Sequence, residues 1–300
     1  MAKEKRVIAL GFFDGVHLGH AALLECARSR AEAMGGSPAV LTFDVYPGGV
    51  VRGEQVPLIN ALDGRIDLIR RLCGIHEILV LPFDETFRSM PWDVFVEVLQ
   101  REYGAHHLIC GHNYYFGCWG EGNPYRLVEK CQALGIGADV IEEVSLDGVP
   151  VSSTYIRTLL EAGEMEQAGR FLGHPHMLLG KVRHGQKLGR TLGVPTINMA
   201  IPPGVLVPPW GVYATRVFLP DSPEGYFAVT NVGLRPTLEQ EGHLTVESYI
   251  LDFEGDLYDR EVRVEFYRYL RPEVKFADVM ALKVQIQRDV TEARGYFGLI

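Results

Sequence analysis

The sequence predicts an α/β module followed by an all-β module. Strand-like and helix-like segments alternate through the first half of the 300 residues, whereas strand-like segments separated by Gly and Pro turns fill most of the second half. Alternation indicates a parallel, doubly wound sheet, and consecutive strands without helices between them indicate an antiparallel barrel. Gly173-His174-Pro175 breaks the pattern, so we expect one domain over residues 1–173 and a second over 174–300.

Hydrophobic periodicity defines the elements of the first half. The run 6–13 is apolar, as expected of a strand buried on both faces, and 18–34 carries apolar residues at helical spacing before a Gly-Gly stop. By the same criteria, we expect further strands over 39–43, 77–81, 107–110 and 138–144 and further helices over 64–72, 92–102, 124–134, 154–162 and 165–172.

The second half changes to a period of two. Val262, Val264 and Phe266 alternate with charged residues, which is typical of a half-buried strand. One helix closes the chain, because apolar residues from Val279 to Val290 recur every three or four positions. The strands expected here cover 177–182, 211–219, 226–232, 244–253 and 262–269.

Composition narrows the possible partners. Twenty-nine Lys and Arg against 38 Asp and Glu leave a net charge of −9, which opposes binding to a phosphate backbone, so we expect no nucleic-acid partner. No apolar run approaches the roughly 18 residues of a membrane span. The five cysteines include no C-x-x-C pair, which favours free thiols in a reducing compartment, and we expect a cytoplasmic protein.

The most informative motif, G-F-F-D-G-V-H-L-G-H, occupies residues 11–20, between the first strand and the first helix. Ligands of doubly wound sheets bind at this edge, where free N–H groups and the helix dipole favour anions. The two histidines are three positions apart, so they share a helical face and can donate to phosphate oxygens. The candidate phosphate-binding residues are Gly11, Asp14, Gly15, His17, Gly19 and His20.

This motif resembles the H-x-G-H nucleotidylyltransferases, and its full length resembles their flavin branch, the bacterial bifunctional riboflavin kinases/FAD synthetases. Residues 42–47 resemble the family's T-F-x-P-H-P segment, with Val45 and Tyr46 as departures. Residues 111–117 resemble its flavin and nucleotide loop, and 152–157 resemble its S-S-T-x-I-R phosphate motif, with Tyr155 in place of an arginine. The resemblance implies flavin or nucleotide contacts at Asn113, Phe116 and Gly117 and phosphate contacts at Ser153, Thr154 and Arg157.

A stretch dense in Gly and cations, residues 180–198, opens the second module. It contains no Walker A loop, and by composition alone it could equally be a solvated hairpin. Its order resembles the riboflavin kinase motif that ends in P-T-A-N. The resemblance implies ATP contacts at Gly180, Gly185, Gly189, Arg190, Thr196 and Asn198, and it implies that the oxygens of Thr196 and Asn198 hold Mg²⁺.

Later segments complete the resemblance, which spans residues 7 to about 290. Glu247 occupies the position of the family's catalytic carboxylate, although without the resemblance it reads as a surface residue of a strand. A kinase acting on an alcohol needs a base to orient and deprotonate the hydroxyl. Arg271 and Phe276 lie in a segment that resembles a family segment and could close over the nucleotide or flavin, although the cations of this segment could equally be solvated.

The expected function is therefore phosphorylation of riboflavin to FMN and adenylylation of FMN to FAD, with ATP as co-substrate and pyrophosphate released in the second step. Tyr46 and Tyr155 leave open an alternative in which only the kinase is active. A flavin-binding regulator and an unrelated H-x-G-H transferase are weaker alternatives, since Thr196, Asn198 and Glu247 are all present. The sequence does not determine the oligomeric state.

Overall fold

The computed structural model describes residues 5–183, 195–235 and 243–299. Their contacts divide the chain into two compact units. The first contains the residues up to Val56 and Arg65–Ser152, and the second contains Pro57–Gly64 and the residues from Ser153 onward. The two short helices before Gly173 thus group with the second unit, while the functional boundary at 173/174 stays a prediction.

The first unit is built on a five-stranded sheet in the order β3-β2-β1-β4-β5, and every neighbouring pair is parallel. This confirms the predicted doubly wound sheet. The strands are β1 (Arg6–Leu10), β2 (Ser37–Phe43), β3 (Glu77–Leu81), β4 (Ala105–Gly111) and β5 (Gly137–Ile141). The helices are α1 (Leu18–Met34), α2 (Pro47–Arg52), α3 (Leu62–Cys73), α4 (Glu85–Arg88), α5 (Trp92–Arg101) and α6 (Pro124–Ala133).

The observed bounds follow the local chemistry. Helix α1 buries Leu23, Leu24, Ala27 and Ala31 and stops at Gly35, whose left-handed φ of 59° suits glycine. Strand β1 is shorter than the predicted run 6–13, because the backbone turns after Leu10 and takes left-handed φ values at Phe13 and Val16. The short helices α2 and α4 and the ribbon formed by β6 (Ser145–Leu146) and β7 (Val149–Pro150) were not predicted.

The second unit is a closed barrel of six strands in the order β10-β11-β12-β9-β8-β13, and every neighbouring pair is antiparallel. This confirms the predicted antiparallel barrel, with one strand more than expected. Its strands are β8 (His176–Arg183), β9 (Thr196–Ala200), β10 (Gly211–Leu219), β11 (Ser222–Arg235), β12 (His243–Ile250) and β13 (Glu261–Pro272). Its helices are α7 (Ser153–Glu161), α8 (Met165–Leu172) and α9 (Val279–Tyr296). Strand β9 was not predicted, because its residues were interpreted only as a ligand motif.

The two faces of the barrel wall differ in chemistry. Inside, the hydroxyls of Thr215, Thr230 and Ser248 form a buried hydrogen-bond chain across β10, β11 and β12, with oxygen–oxygen distances of 2.7 and 2.8 Å. On the opposite face, α9 packs through Ala293 against residues of β10 and β11 that include Ala214. The alternation of side chains therefore separates an inner set from an outer set that faces α9.

A segment from early in the chain belongs to the second unit. The amide of Leu58 donates to the carbonyl of Gly204 at 2.8 Å, and the amide of Leu206 donates back to the carbonyl of Leu58 at 2.7 Å. The side-chain amide of Asn60 donates to the carbonyl of Met177 at 2.9 Å. Residues 57–64 thus supply backbone partners to the barrel unit. In the described residues, we find no helix with the length and hydrophobicity to cross a membrane.

Candidate active sites

The two histidines of the first motif lie at the start of α1. His17 is the N-cap, and its Nδ1 accepts a hydrogen bond from the amide of His20 at 3.3 Å. In a neutral His17 this contact leaves the proton on Nε2, which is the atom that can donate to a ligand. The two imidazole rings stack with centroids 3.6 Å apart. The motif therefore places two adjacent nitrogen donors at the positive end of a 17-residue helix.

The surroundings of His20 keep it uncharged. Burial, followed by the nearby charges of His17 and Arg65, holds the pKa of His20 well below its ordinary value. The edge of the Phe13 ring lies against His20, with centroids 5.2 Å apart. In the described part of the chain, no hydrogen-bond partner reaches Nδ1 of His20. At neutral pH His20 is thus a neutral imidazole rather than a cation.

The glycines of this motif leave room for its side chains. A Cβ on Gly19 would lie 3.2 Å from the His17 ring, and a Cβ on Gly11 would lie 3.0 Å from the Phe13 ring. Gly15 has a φ of 81°, which side chains rarely tolerate. Asp14 is buried and contributes to the field around Arg65. Substituting any of these glycines would therefore disturb the loop that carries His17.

The three residues of segment 152–157 that are expected to contact phosphate lie on the first turns of α7. Ser153 and Arg157 are four residues apart and share a helical face, whereas Thr154 is exposed beside them. Tyr155, which departs from the family pattern, packs its ring edge-on against Phe171 of α8, with centroids 4.9 Å apart. The departure at Tyr155 is therefore accommodated by packing within the second unit.

The expected flavin loop of the first unit mixes exposed and core positions. Asn113 is exposed just after β4, whereas Phe116 is buried and stacks on Tyr114 with centroids 5.5 Å apart. Gly117 has a φ of 74°, and a Cβ there would lie 2.5 Å from Trp92. Asn113 is therefore accessible from solvent, while Phe116 and Gly117 pack within the loop.

One register row on the outer wall of the barrel carries the candidate kinase residues. Asn198 on β9 pairs with Glu247 on β12, and Glu247 pairs with Asn231 on β11. Val246 and Ser248 are buried on either side of Glu247, so the half-buried Glu247 belongs to the outer face. Thr196 lies two residues before Asn198 and shares its face. Four oxygen-bearing side chains, those of Thr196, Asn198, Glu247 and Asn231, are thus neighbours across three strands.

A pocket of about 420 Å³ adjoins this row. Asn198 and Arg183 form part of its wall, and residues from Ile201 to Val207 form much of the remainder. Gly180 belongs to the inner face instead, where a Cβ would lie 2.9 Å from Cγ of Met199, so its lack of a side chain serves the packing of the barrel. Gly185, Gly189 and Arg190 lie outside the described residues.

Arg271 is held against α9. Its guanidinium donates to both carboxylate oxygens of Asp289 at 2.8 and 2.7 Å, and Asp289 is 2% exposed. The ring of Phe276 lies 5.8 Å from the guanidinium carbon. The third nitrogen, Nη1, donates to the carbonyl of Pro272 at 3.0 Å. All three Arg271 nitrogens therefore have partners, and any flavin contact by Arg271 is limited to its remaining surface.

Both units match known families in the predicted order. A model described as FAD synthetase matches residues 1–155, and a model described as riboflavin kinase matches residues 172–297. The bifunctional riboflavin kinase/FMN adenylyltransferase of Bacillus subtilis is 34% identical, over 98% of this chain and 93% of its own. The enzymes of the same description from Pseudomonas fluorescens and Escherichia coli K12 are 37% and 32% identical, covering 96% and 99% of this chain and 92% and 94% of theirs.

This chain belongs to the bifunctional riboflavin kinase/FMN adenylyltransferase family. It is accordingly an enzyme with both activities, and its substrates are ATP, riboflavin and FMN. The kinase-only alternative is not favoured, since both modules match bifunctional relatives along nearly the whole chain. A crystal structure described as a macrolide-efflux protein from Streptococcus pneumoniae shares the fold, with a TM-score of 0.84 at 27% identity over 98% of this chain and 95% of that one.

The structure also shows three residues beside the candidate sites that the sequence motifs did not indicate. Arg65 is fully buried beside the histidine loop, Asp289 holds Arg271, and Asn231 neighbours Glu247. A signal for Arg65 was available: it precedes the buried Leu68 and Ile69 by three and four positions, which places it on the core face of α3. Asp289 and Asn231 carry no comparable local signal.

Proposed function

We propose that Glu247 is the base of the riboflavin kinase reaction. The 5′-hydroxyl oxygen of riboflavin attacks the γ-phosphorus of ATP, the bond from that phosphorus to the bridging oxygen breaks, and ADP leaves. Glu247 orients the hydroxyl and accepts its proton. The observation that carries this assignment is the pairing of Glu247 with Asn198 on the outer wall, beside a pocket of about 420 Å³.

Thr196 and Asn198 have the donor chemistry for Mg²⁺. The hydroxyl and amide oxygens project from the same face of β9, and a hard cation that keeps several waters prefers such ligands. Bound Mg²⁺ would neutralise charge on the ATP phosphates. The field of Arg183, which pairs with Asn198 in register, adds positive charge at the same place. The proposed ATP contacts at Gly180, Gly185, Gly189 and Arg190 rest on the family motif.

The adenylyl transfer is proposed to occur at the histidine motif. An oxygen of the FMN phosphate attacks the α-phosphorus of ATP, the bond to the bridging oxygen breaks, and pyrophosphate leaves. Nε2–H of His17 and the neutral His20 donate hydrogen bonds to the phosphate oxygens, and the N-terminus of α1 supplies a partial positive charge. The stacked pair of His17 and His20 is the observation that supports this role.

Further contacts complete the proposal. Ser153, Thr154 and Arg157 would bind ATP phosphates, and Gly11, Asp14, Gly15 and Gly19 would shape the loop that carries His17. For the flavin, Asn113, Phe116 and Gly117 are proposed in the first module, and the limited surface of Arg271 with Phe276 in the kinase. We assign adenylyl transfer to residues 1–173 and the kinase to 174–300. Free thiols at all five cysteines support a cytoplasmic enzyme.

Two half-reactions test the assignment of residues to steps. Riboflavin with Mg·ATP reports FMN formation, and FMN with Mg·ATP reports FAD and pyrophosphate. We expect substitutions at Thr196, Asn198 and Glu247 to lower only the first rate, and substitutions at His17 and His20 to lower only the second. Equal loss of both rates in any of these variants would contradict the assignment.

A further inference from the structure

Arg65 is a charged side chain in the interior of the first unit. It lies on α3, its exposure is 0%, and Leu68 and Ile69, one turn further along the helix, are equally buried. Burial lowers the pKa of Arg65 to about 10, and the charges of Asp14 and Asp44 oppose that shift. The guanidinium therefore stays protonated at neutral pH. A buried cation is costly unless its donors are used.

The guanidinium joins the carboxyl ends of two parallel strands. One nitrogen donates to the carbonyl of Phe12 at 2.6 Å and to the hydroxyl of Thr42 at 2.8 Å, and the other donates to the carbonyl of Phe43 at 2.9 Å. Thr42 itself donates to the carbonyl of Phe12 at 3.0 Å. The Phe12 ring covers the guanidinium at 4.0 Å. Phe12 lies near the start of the loop that leads to His17, so the contacts of Arg65 hold this loop where it leaves the sheet.

We propose that Arg65 is a positioning residue for adenylyl transfer, which fixes the loop between β1 and α1 that presents His17 and His20. The inference rests on the proposed role of these histidines. A planar fork can satisfy acceptors on two strands at once, whereas the single ammonium of a lysine cannot hold the same three contacts. Misplacement of a reacting group by about 1 Å costs on the order of 10²-fold in rate.

The charge of Arg65 has a second effect on the same loop. The groups that face His20 are the stacked His17 and the edge of Phe13, with the charge of Arg65 nearby and Asp14 and Asp44 as the counter-charges of Arg65. Because a cation disfavours a second positive charge, Arg65 helps to keep His20 neutral. Loss of the Arg65 charge would therefore let His20 bind a proton at a higher pH. The added proton would lie on the buried Nδ1, which has no acceptor in the described residues, so the protonated ring would fit the loop poorly and lower the rate.

The test compares three variants of the full-length enzyme in both half-reactions across pH 5–8. Arg65→Met removes both the planar guanidinium and its charge, whereas Arg65→Lys keeps only the charge. Arg70→Met is the control, because it makes the arginine-to-methionine change at an exposed position of α3. For Arg65→Met we expect kcat for FAD formation to fall about 10²-fold, with a smaller change in KM, and the acid limb of kcat/KM to move to higher pH. Arg65→Lys should lose rate without moving that limb.

Riboflavin phosphorylation by the same preparations is the internal control, and it should stay within about twofold of the parent in all three variants. Wild-type kcat and an unmoved acid limb in Arg65→Met would overturn the proposal. If circular dichroism shows that Arg65→Met does not fold, wild-type FAD formation by a folded Arg65→Lys would overturn it. His17→Asn tests the proposed function separately from the role of Arg65. If that variant forms FAD at the parent rate, the proposed role of the histidines is wrong.

Discussion

Glu247 and Asn198 stand opposite each other on two neighbouring antiparallel strands, β12 and β9. Residues that pair in this way have Cβ atoms roughly 4.5–5.5 Å apart, close enough to act on one ligand. The relationship depends on register. A slip of one residue would turn Glu247 into the barrel interior, where Val246 and Ser248 now lie, and would remove it from Asn198.

The kinase step should depend on the Glu247 carboxylate. Glu247→Gln keeps the shape and removes the proton acceptor, so FMN formation should fall by roughly 10²–10⁴-fold while FAD formation from FMN is unchanged. Glu254→Gln makes the same change at an exposed loop position and should leave both rates at the parent value. An active Glu247→Gln kinase would show that another group accepts the proton.

His17 should combine a structural and a chemical role that two substitutions can separate. His17→Ala removes the acceptor that caps α1, whereas His17→Asn supplies another capping side chain. Both variants should lose most FAD formation, but only His17→Ala should lose about 1 kcal/mol of unfolding free energy in urea titrations. Equal stabilities in the two variants would mean that the cap contributes nothing.

Acid should destabilise the barrel through His176. This fully buried residue has no partner for either ring nitrogen in the described chain, and burial, with the charge of His174, lowers its pKa to about 3. Below about pH 6.5, His176 binds a proton in the unfolded chain but stays neutral in the folded barrel. The free energy of unfolding therefore falls as the pH falls from about 6.5 towards 3. Between pH 7 and 5 the loss from His176 should be about 2 kcal/mol.

Replacing each of two histidines by phenylalanine tests whether His176 causes the acid sensitivity. His176→Phe should flatten the dependence of unfolding free energy on pH, whereas His76→Phe, at an exposed position, should keep the parent slope. The measurement is urea unfolding at several pH values. A parent-like slope in His176→Phe would assign the acid sensitivity to other groups.

Two ion pairs of α9 should contribute differently to the free energy of unfolding. Asp289→Asn removes the charge opposite the largely buried Arg271 and should cost about 3 kcal/mol. Asp252→Asn removes the charge opposite Arg294 but keeps a residue type that tolerates the left-handed φ of 54°, and the Asp252 side chain is 77% exposed, so the cost should stay below about 1 kcal/mol. Thermal unfolding of the two variants compares them directly. Similar losses would mean that burial does not govern the strength of these pairs.

Local patterns predicted much of this fold because its elements have clear periods. Helix α1 and strand β3 match their predicted bounds, and the change from alternating elements to consecutive strands correctly announced the second architecture. Strand β9 escaped because its five residues, Thr196–Ala200, follow a Gly-rich stretch that obscures any period. Barrel closure between β10 and β13 is a non-local pairing that no local period contains.

The sequence motifs predicted which residues belong to the candidate sites, but they did not predict how these residues are arranged in space. The histidine spacing implied a shared helical face, but the N-cap contact of His17 depends on where α1 begins. The pairing of Asn198 with Glu247 joins residues 49 positions apart, so only the register reveals it. Arg65 was missed because an arginine within a predicted helix is ordinarily a surface residue, and its acceptors lie on β2 and beyond the end of β1.

The segment 57–64 makes the two enzymes hard to separate by cutting the polypeptide once. Measured by contacts, the chain enters the barrel unit at Pro57, leaves it after Gly64 and returns at Ser153. A fragment beginning at His174 would lack Leu58, and so would leave the backbone of Gly204 and Leu206 without the hydrogen bonds that it provides. A single cut in the gene would therefore give a kinase fragment that lacks residues 57–64 and the hydrogen bonds they make to the loop between β9 and β10.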